Sequence, residues 1–484
     1  VLSAYVSPIA RRYIERLEQK LGDAGFAEKP YMMQSNGGIA TVDAVKANPI
    51  AMVESGPASG IYAAAYVGKH IGEPNLIVLD IGGTTAKCTL IEDGEIKVST
   101  DYYIERDGKS PGYPVQTPVS EIVEIGNGGG SIAWVDAGGK LHVGPQSAGA
   151  RPGPASYGRG GLRPTTTDAN LLLGRIDPAS FAGGDVEPDW EAVDAAFRPL
   201  CEELGLTREE LARGVIRIAN ANMTTALRLV STNKGHDPRD FALMAFGGGG
   251  AMHAVALAEE LKVPHVIIPV NSSVFSAWGM LLTDLRRDYI RTRLTSLGSD
   301  SLEAIRTVFA EIEAEARRDF AGEAGTRTPA FEYRADLRYV GQEHTVGILF
   351  PLNGTNAIEE AILSFHEAHE KRFTYRLDAS VQLVNFHLVA TLPMEKPELA
   401  ERPTTGRSVA EALIGKRVVD FDMHGIHDAL IYDGLQLEPD MGLVGPAVIQ
   451  EPAVTLPLPP GTRAEVDRLG NYHIYFVQNE GARG

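Results

Sequence analysis

Apolar positions in this chain fall into short dense runs set between glycine-rich turns. Leu76-Ile77-Val78-Leu79 is unbroken and ends in Asp80. Ile81-Gly82-Gly83-Thr84-Thr85 follows, and a second strand-like run reaches Ile91. Glu92-Asp93-Gly94-Glu95 then turns the chain into a third strand, Ile96 to Thr100, with Asp93-Gly94 as a strong hairpin signal. Upstream, the pattern predicts a helix capped by Ser7-Pro8 with Ile9, Tyr13, Leu17 and Leu21 on its apolar face. A short strand at Pro30 to Met33, a turn at Gln34 to Gly38 and a helix from Ile61 to Val67 follow. Residues 187–234 read as two helices, the second with Val215, Ala219, Met223, Ala226 or Leu227, and Val230 as a core stripe. A buried strand, Phe241 to Phe246, runs through Gly247-Gly248-Gly249-Gly250 into a helix from Ala251 to Leu261. Strands are expected at Val266 to Pro269 and Thr283 to Thr295. A helix over 301–324, two strands, a helix from Ala357 to Arg372 and a strand from Val381 to Leu392 make a small α+β block. Pro393 to Arg407 reads as a linker, and Lys416 to Val477 as a small β sandwich or barrel.

The turn after Asp80 suits a phosphate. Two glycines let backbone N–H groups approach an anion, two threonines add hydroxyls, and Asp80 can hold a hydrated Mg²⁺. A P-loop needs Gly-Lys-Ser/Thr before a helix, whereas Lys87 falls in a strand; a dinucleotide fingerprint needs its glycines to open a helix. Asp-x-Gly-Gly-Thr between two strands instead resembles the nucleotide site of the actin, Hsp70 and sugar-kinase superfamily, although a plain Gly-Gly hairpin has the same local signature. The tetraglycine would let the backbone pass close to an adenine ring or its ribose; close helix–sheet packing alone would also select it. Glu54 to Gly60 is either an anion-binding helix start or an ordinary cap.

Composition narrows the field. At 484 residues and 44% apolar content the chain can build two to four domains with real cores. A net charge of −18 argues against a nucleic-acid surface. Two cysteines, Cys88 and Cys201, form no disulfide framework or metal cluster, which points to a reducing cytoplasm, and no apolar run approaches the ~20 residues of a membrane span. Between Asp101 and Asp185 lies a glycine- and proline-rich stretch whose mixed carboxylates, hydroxyls and amides suggest ordered, functional loops. Among other candidates, His366 and His369 stand at i and i+3, where a surface pair is commoner than a metal site. His253 either reaches nucleotide or packs. Cys88 has no nucleophile's setting, and Arg286 and Arg287 are expected to pair with Asp284 and Asp288.

The chain resembles the A subunit of the hydantoinase/oxoprolinase family, as in N-methylhydantoinase and the A half of 5-oxoprolinase, and is similar to the nucleotide-binding subunits of acetone and acetophenone carboxylases. The segments that carry the resemblance are Met33 to Gly38, Ser55 to Ala58, Asp80 to Thr84, Gly126 to Ser131 and Ser147 to Pro154. Thr167-Asp168, Phe246 to Gly250, Phe275 to Met280 and Arg338 to Gln342 complete the set. The resemblance implies an α/β, actin-like (ribonuclease H-like) nucleotide-binding domain with an α+β insertion and a C-terminal β-rich domain. Its divisions would be 1–298 as an ATPase half-domain with the loop block at 101–185, 299–395 as the α+β part, and 408–484 as the β-rich part. Family members begin with a further domain carrying another Asp-x-Gly-Gly-Thr loop, so this chain is expected to hold one jaw of a two-jawed phosphate clamp. Many relatives place a carboxylate where Lys87 stands, which leaves Asp80 as the better metal candidate.

The implied chemistry is carbonyl activation: the γ-phosphoryl group of ATP, carried with Mg²⁺ or Mn²⁺, is transferred to the oxygen of a small cyclic amide, and water opens the ring. Expected roles are Asp80 as the Mg²⁺-water ligand, Gly82, Gly83, Thr84 and Thr85 as phosphate cradle, and Gly247, Gly248, Gly249 and Gly250 as adenosine floor. Asp168, or Glu121 and Glu124, would supply a base or metal ligand. A B-type partner subunit is implied, with neither nucleic acid nor membrane as partner. Two rivals stay open: an ATP-dependent ketone carboxylase subunit and a non-catalytic nucleotide-binding module.

Overall fold

A computed structural model describes residues 2–99, 102–106, 110–115, 117–184, 186–298 and 300–477. Two compact units emerge, and neither is continuous in sequence: one takes residues 1–55, 100–119 and 282–396, the other 56–99, 120–281 and 397–484.

The first unit is built on a six-stranded sheet. Its order is Tyr31–Met33, Ile39–Thr41, Leu285–Ser296, Val381–Leu392, Ala330–Tyr339, Val346–Leu349. Leu285 pairs with Ile39, so strands nearly 250 residues apart in sequence share one surface. The Gln34 to Gly38 segment is the turn between the first two strands, with Gln34 N–H donating to Gly38 O at 2.8 Å. Helices Leu302–Phe320 and Ala357–Phe373 contribute Phe309 and Phe365; the Phe309 ring meets Tyr333 and Phe386 edge-on, both at 5.2 Å.

Here the first helix departs from expectation. It runs from Leu2 to Asp23 with Pro8 inside it, not at its start. Pro8 is exposed, so the carbonyl it leaves without an N–H partner can be hydrated. Ile9 and Tyr13 are 71% and 60% exposed, while Ile14 is fully buried and Leu17 and Leu21 are half-buried. Steps of four residues drift by ~40° each, so Ile9 and Leu21 lie ~120° apart and do not share a face.

The second unit is organised by a nine-stranded mixed sheet. Along its main path the order is Val123–Ile125, Ala86–Glu92, Leu76–Ile81, Ala242–Phe246, His265–Ile268, Tyr472–Phe476, Thr462–Val466, Gly442–Val444. Leu76–Ile81, Ala242–Phe246 and His265–Ile268 are parallel neighbours and are buried almost throughout, as their unbroken apolar runs require. The helices Arg208–Val230 and Gly250–Leu261 pack into the same core, with Val215, Ala219, Met223, Leu227 and Val230 all buried. Asp93 and Gly94 both have positive φ, as the predicted tight hairpin demands. The strand expected from Ile96 to Thr100 is broken into Glu95–Ile96 and Val98–Ser99, and Thr100 lies outside the described residues.

The C-terminal strands do not close on themselves as a sandwich or barrel. Tyr472–Phe476 pairs antiparallel with His265–Ile268 and carries two further strands onto the central sheet. Four other strands, from Leu413–Asp420 to Val454–Leu458, form a separate small sheet in the same unit. Only the pairing of Ile474 with Val266 reveals this, because a strand inserted in a distant sheet has the same alternation as one in a sandwich.

Candidate nucleotide site

Two parallel strands end side by side, with Phe246 in register with Asp80. The turn after Asp80 and the tetraglycine after Phe246 therefore leave the sheet at the same edge. Crevices outside the carboxyl ends of parallel strands are the usual place for ligands in such sheets. Gly247 N–H donates to Ser272 O at 2.8 Å and Gly249 N–H to Ile81 O at 2.9 Å. Gly247 has φ +82°, and a Cβ there would stand 2.4 Å from Asp80 Oδ1. No side chain fits, so this glycine is required by close approach as well as by conformation. A Cβ on Gly249 or Gly250 would press on Ile81 or Ala245, whereas Gly248 is exposed with open space above it. Of the four glycines, Gly247 and Gly249 pack against the Asp80–Ile81 segment, Gly250 packs against Ala245 of the strand before it, and Gly248 presents open backbone.

Asp80 is partly buried. Burial pushes its carboxyl upward from the ordinary aspartate range, while the Ser276 hydroxyl and the Lys87 charge pull it back. Ser276 Oγ donates to Asp80 Oδ2 at 3.2 Å. Ser276 comes from the short helix Phe275–Gly279, fixed by the Phe275 ring 4.7 Å from Phe246. The segment Phe275 to Met280 stands out in the sequence, but nothing there says that its serine reaches Asp80. In the turn itself, Gly82 N–H donates to Thr85 O at 3.0 Å, and Gly83 and Thr84 are exposed. Among the described residues the N–H groups of Gly83 and Thr84 have no acceptor, and no atom comes within 4 Å of a Cβ built on Gly83. Two free donors at an open turn suit an anion. Among the described residues no three His, Cys, Asp or Glu side chains gather to hold a metal, so Asp80 is not part of an all-protein cage. That donor set fits a cation such as Mg²⁺, which keeps most of its water and takes its remaining ligands from phosphate.

The other candidate carboxylates are engaged elsewhere. Asp168 is fully buried, and its carboxylate accepts from the N–H groups of Ala155 (3.2 Å), Ser156 (2.9 Å) and Thr165 (2.9 Å) and from Thr165 Oγ1 (2.8 Å). It closes the capping box of the helix Thr166–Leu172 and ties the 155–156 segment to it. With no exposed edge and four hydrogen bonds accepted, the carboxylate expected to act as a base is fully engaged within the fold. Glu124 pairs with Lys87 at 3.0 Å across the strand pair, and Glu121 with Lys234 at 2.6 Å. Lys87 also donates to Thr85 Oγ1 at 2.6 Å, so it steadies the turn from behind.

The remaining candidates resolve into packing. His253 is buried with Nδ1 2.7 Å from Asn220 Oδ1, and burial together with the Arg175 charge pushes it down to about 3. Cys88 is buried and pushed up to about 12, mainly by loss of solvent, which removes it as a nucleophile. His366 and His369 are buried, not a surface pair, and bond to Tyr339 Oη at 2.7 Å and Tyr375 O at 3.0 Å. Arg286 pairs with Asp288 as expected, but Arg287 turns to Glu323 at 2.7 Å and Asp284 to Lys396 at 3.0 Å.

A mixed α/β protein with two glycine-rich turns side by side at its parallel strand ends is thus defined. The family profile "Hydantoinase/oxoprolinase" matches residues 1–289, and "Hydantoinase/oxoprolinase C-terminal domain" matches 298–475. The chain belongs to the hydantoinase/oxoprolinase family. It is 36% identical over 98% of its length to an uncharacterized protein of Methanocaldococcus jannaschii, of which it covers 69%. It is 33% identical over 98% of its length to caprolactamase subunit alpha of Pseudomonas jessenii, covering 68%. Against the acetophenone carboxylase gamma subunit of Aromatoleum aromaticum it is 29% identical over 97%, covering 65%. The crystal structure of ATP-dependent caprolactamase from Pseudomonas jessenii superposes with a TM-score of 0.84 at 33% identity, over 98% of this chain and 69% of that one. No described helix is long and apolar enough to cross a membrane.

Proposed function

We propose that this chain is the nucleotide-binding subunit of an ATP-dependent cyclic amide hydrolase, with Mg²⁺ or Mn²⁺ as the accompanying cation. The observation that carries this reading is the juxtaposition of the Asp80 to Thr85 turn with the Gly247 to Gly250 turn, with unpaired N–H donors at Gly83 and Thr84. Likeness to a caprolactamase subunit alpha and to an ATP-dependent caprolactamase structure supports the substrate class. The second unit is read as one half of an actin-like fold, and 1–298, 299–395 and 408–484 as the inherited modules of the whole chain.

In this reading Gly83 and Thr84 bind phosphate oxygens through their N–H groups, and Asp80 holds a water of the hydrated cation. Ser276 fixes the orientation of Asp80, and the open backbone at Gly248 lies under the adenosine. ATP supplies the phosphoryl group that turns an unreactive amide oxygen into a leaving group. The chain's own share is positioning and charge neutralisation, which are the terms that dominate phosphoryl transfer. A B-type subunit in a cytoplasmic assembly would complete the ring-opening step.

The test is ATP turnover by the chain with its partner subunit, offered a panel of lactams and imides, against a ketone with bicarbonate. Turnover stimulated by a cyclic amide, with ring-opened product, is expected. Stimulation by ketone and bicarbonate alone would replace this reading by the carboxylase one, which the likeness to an acetophenone carboxylase subunit favours. No turnover with either would leave a nucleotide-binding module.

A further inference from the structure

The glycine triplet Gly128-Gly129-Gly130 has no role in the reading above, yet it lies directly on the phosphate turn. Gly129 N–H donates to Gly82 O at 3.1 Å, and Gly130 N–H donates to Gly83 O at 2.6 Å. A Cβ on Gly128 would stand 2.5 Å from Gly82 O and 2.8 Å from Thr84 N, so only glycine allows this approach. The triplet is itself held at every carbonyl. Ser131 N–H donates to Gly128 O at 3.0 Å and Ala148 N–H to Gly130 O at 2.8 Å, while Gly129 O accepts from both the N–H and the hydroxyl of Thr167, each at 2.8 Å.

These bonds have a geometric consequence. A trans peptide is planar, with its C=O and N–H pointing in opposite directions. The Gly82 carbonyl belongs to the same peptide group as the Gly83 N–H, and the Gly83 carbonyl to the same group as the Thr84 N–H. Holding both carbonyls on the triplet side therefore aims both N–H groups at the opposite side. That side is where Gly83 and Thr84 are exposed and their donors have no acceptor.

We propose that Gly128 to Gly130, anchored by Thr167, is a positioning strap that presets the two peptide groups of the phosphate turn for anion binding before nucleotide arrives. This rests on the reading of Asp80 to Thr85 as a phosphate cradle. A Gly-Gly turn left to itself samples many backbone states, and ordering it would be charged against every binding event. The strap removes that cost through bonds from residues that touch no ligand. Thr167 acts at one remove: its hydroxyl orders Gly129, and Gly129 orders Gly82.

The experiment titrates the 484-residue chain with Mg²⁺-free ADP and with Mg²⁺-ADP by calorimetry, comparing wild type with Thr167→Val, Thr167→Ser and Gly128→Ala. Thr167→Val keeps the shape and the backbone bond and loses only the hydroxyl. It is expected to weaken ADP about fivefold without Mg²⁺ as well as with it, a cost of the size of one hydrogen bond. Its ligand-free melting temperature should stay near wild type. Thr167→Ser should restore the affinity, and Gly128→Ala should weaken ADP more than Thr167→Val does. Wild-type binding of ADP with equal affinity in Thr167→Val and Gly128→Ala would overturn the strap while sparing the cradle. Absence of ADP binding by the wild-type chain would overturn both. If Gly128→Ala fails to fold, the valine and serine pair decides alone, since a merely structural threonine would move the melting temperature and leave the ADP affinity per folded molecule unchanged.

Discussion

Asp80 and His253 show how far a residue type goes towards a role. Asp80 lies near the end of a buried strand, accepts from Ser276 and lies against Gly247, and it stays partly exposed. Asp80→Asn should keep the fold and cost about tenfold or more in Mg²⁺-nucleotide affinity, the scale of a lost charge-assisted contact. Isothermal titration checks this; undiminished Mg²⁺-ADP affinity would remove Asp80 from the cation site. His253 and His265 make a pH prediction. Burial, with Arg175 adding for one and His473 for the other, holds them down to about 3 and about 4. In the unfolded chain a histidine titrates near ~6.5. Below that pH the unfolded state binds protons that the folded state refuses, so their contribution is present above ~6.5 and is lost as pH falls towards the folded values. Each should add up to ~1.4 kcal/mol per pH unit to the loss of stability on acidification. Denaturant melts from pH 7 to 5 should show the slope falling by about one proton in His253→Gln; an unchanged slope would mean His253 titrates normally.

Elements were legible wherever their own period determined them. The helix Arg208–Val230 buries the predicted stripe, and the strands Leu76–Ile81 and Ala242–Phe246 fall where unbroken apolar runs place them. The first helix was misread because four-residue steps drift around the axis, and Ile14 rather than Ile9 faces inward. The helix Thr166–Leu172 carries the sharper lesson. Thr-x-x-Asp before an apolar run is a capping signature, with Thr165 as the cap and Asp168 closing the box while also holding the N–H groups of Ala155 and Ser156. Asp168→Ala should therefore lower stability by about 3 kcal/mol, because buried donors lose a charged acceptor. Chemical denaturation tests it; a variant as stable as wild type but inactive would return Asp168 to the list of catalytic candidates.

At the scale of the molecule, long-range pairing decides the architecture. Residues 31–41 share a sheet with 285–392, and Tyr472–Phe476 joins the sheet that begins at Leu76. Removing residues 468–484 takes away the strand that pairs with both His265–Ile268 and Thr462–Val466. The truncated chain should lose the cooperative melting of the second unit, seen by circular dichroism and limited proteolysis, since an apolar edge is opened in its core sheet. An unaltered melting transition would mean that the last strands are an independent module. What the amino-acid order determined by itself was local: periodicity, turn chemistry at Asp93-Gly94, and the phosphate-suited turn at Asp80, each set by neighbours a few residues away. The tertiary structure alone decided that Phe246 stands beside Asp80, that Ser276 reaches its carboxylate, and that Asp168 is sealed inside. It also laid Gly128 to Gly130 on the turn and aimed its N–H groups outward. Those facts depend on which distant backbones come within hydrogen-bond reach, and a close approach permitted by two glycines leaves no periodic trace along the chain.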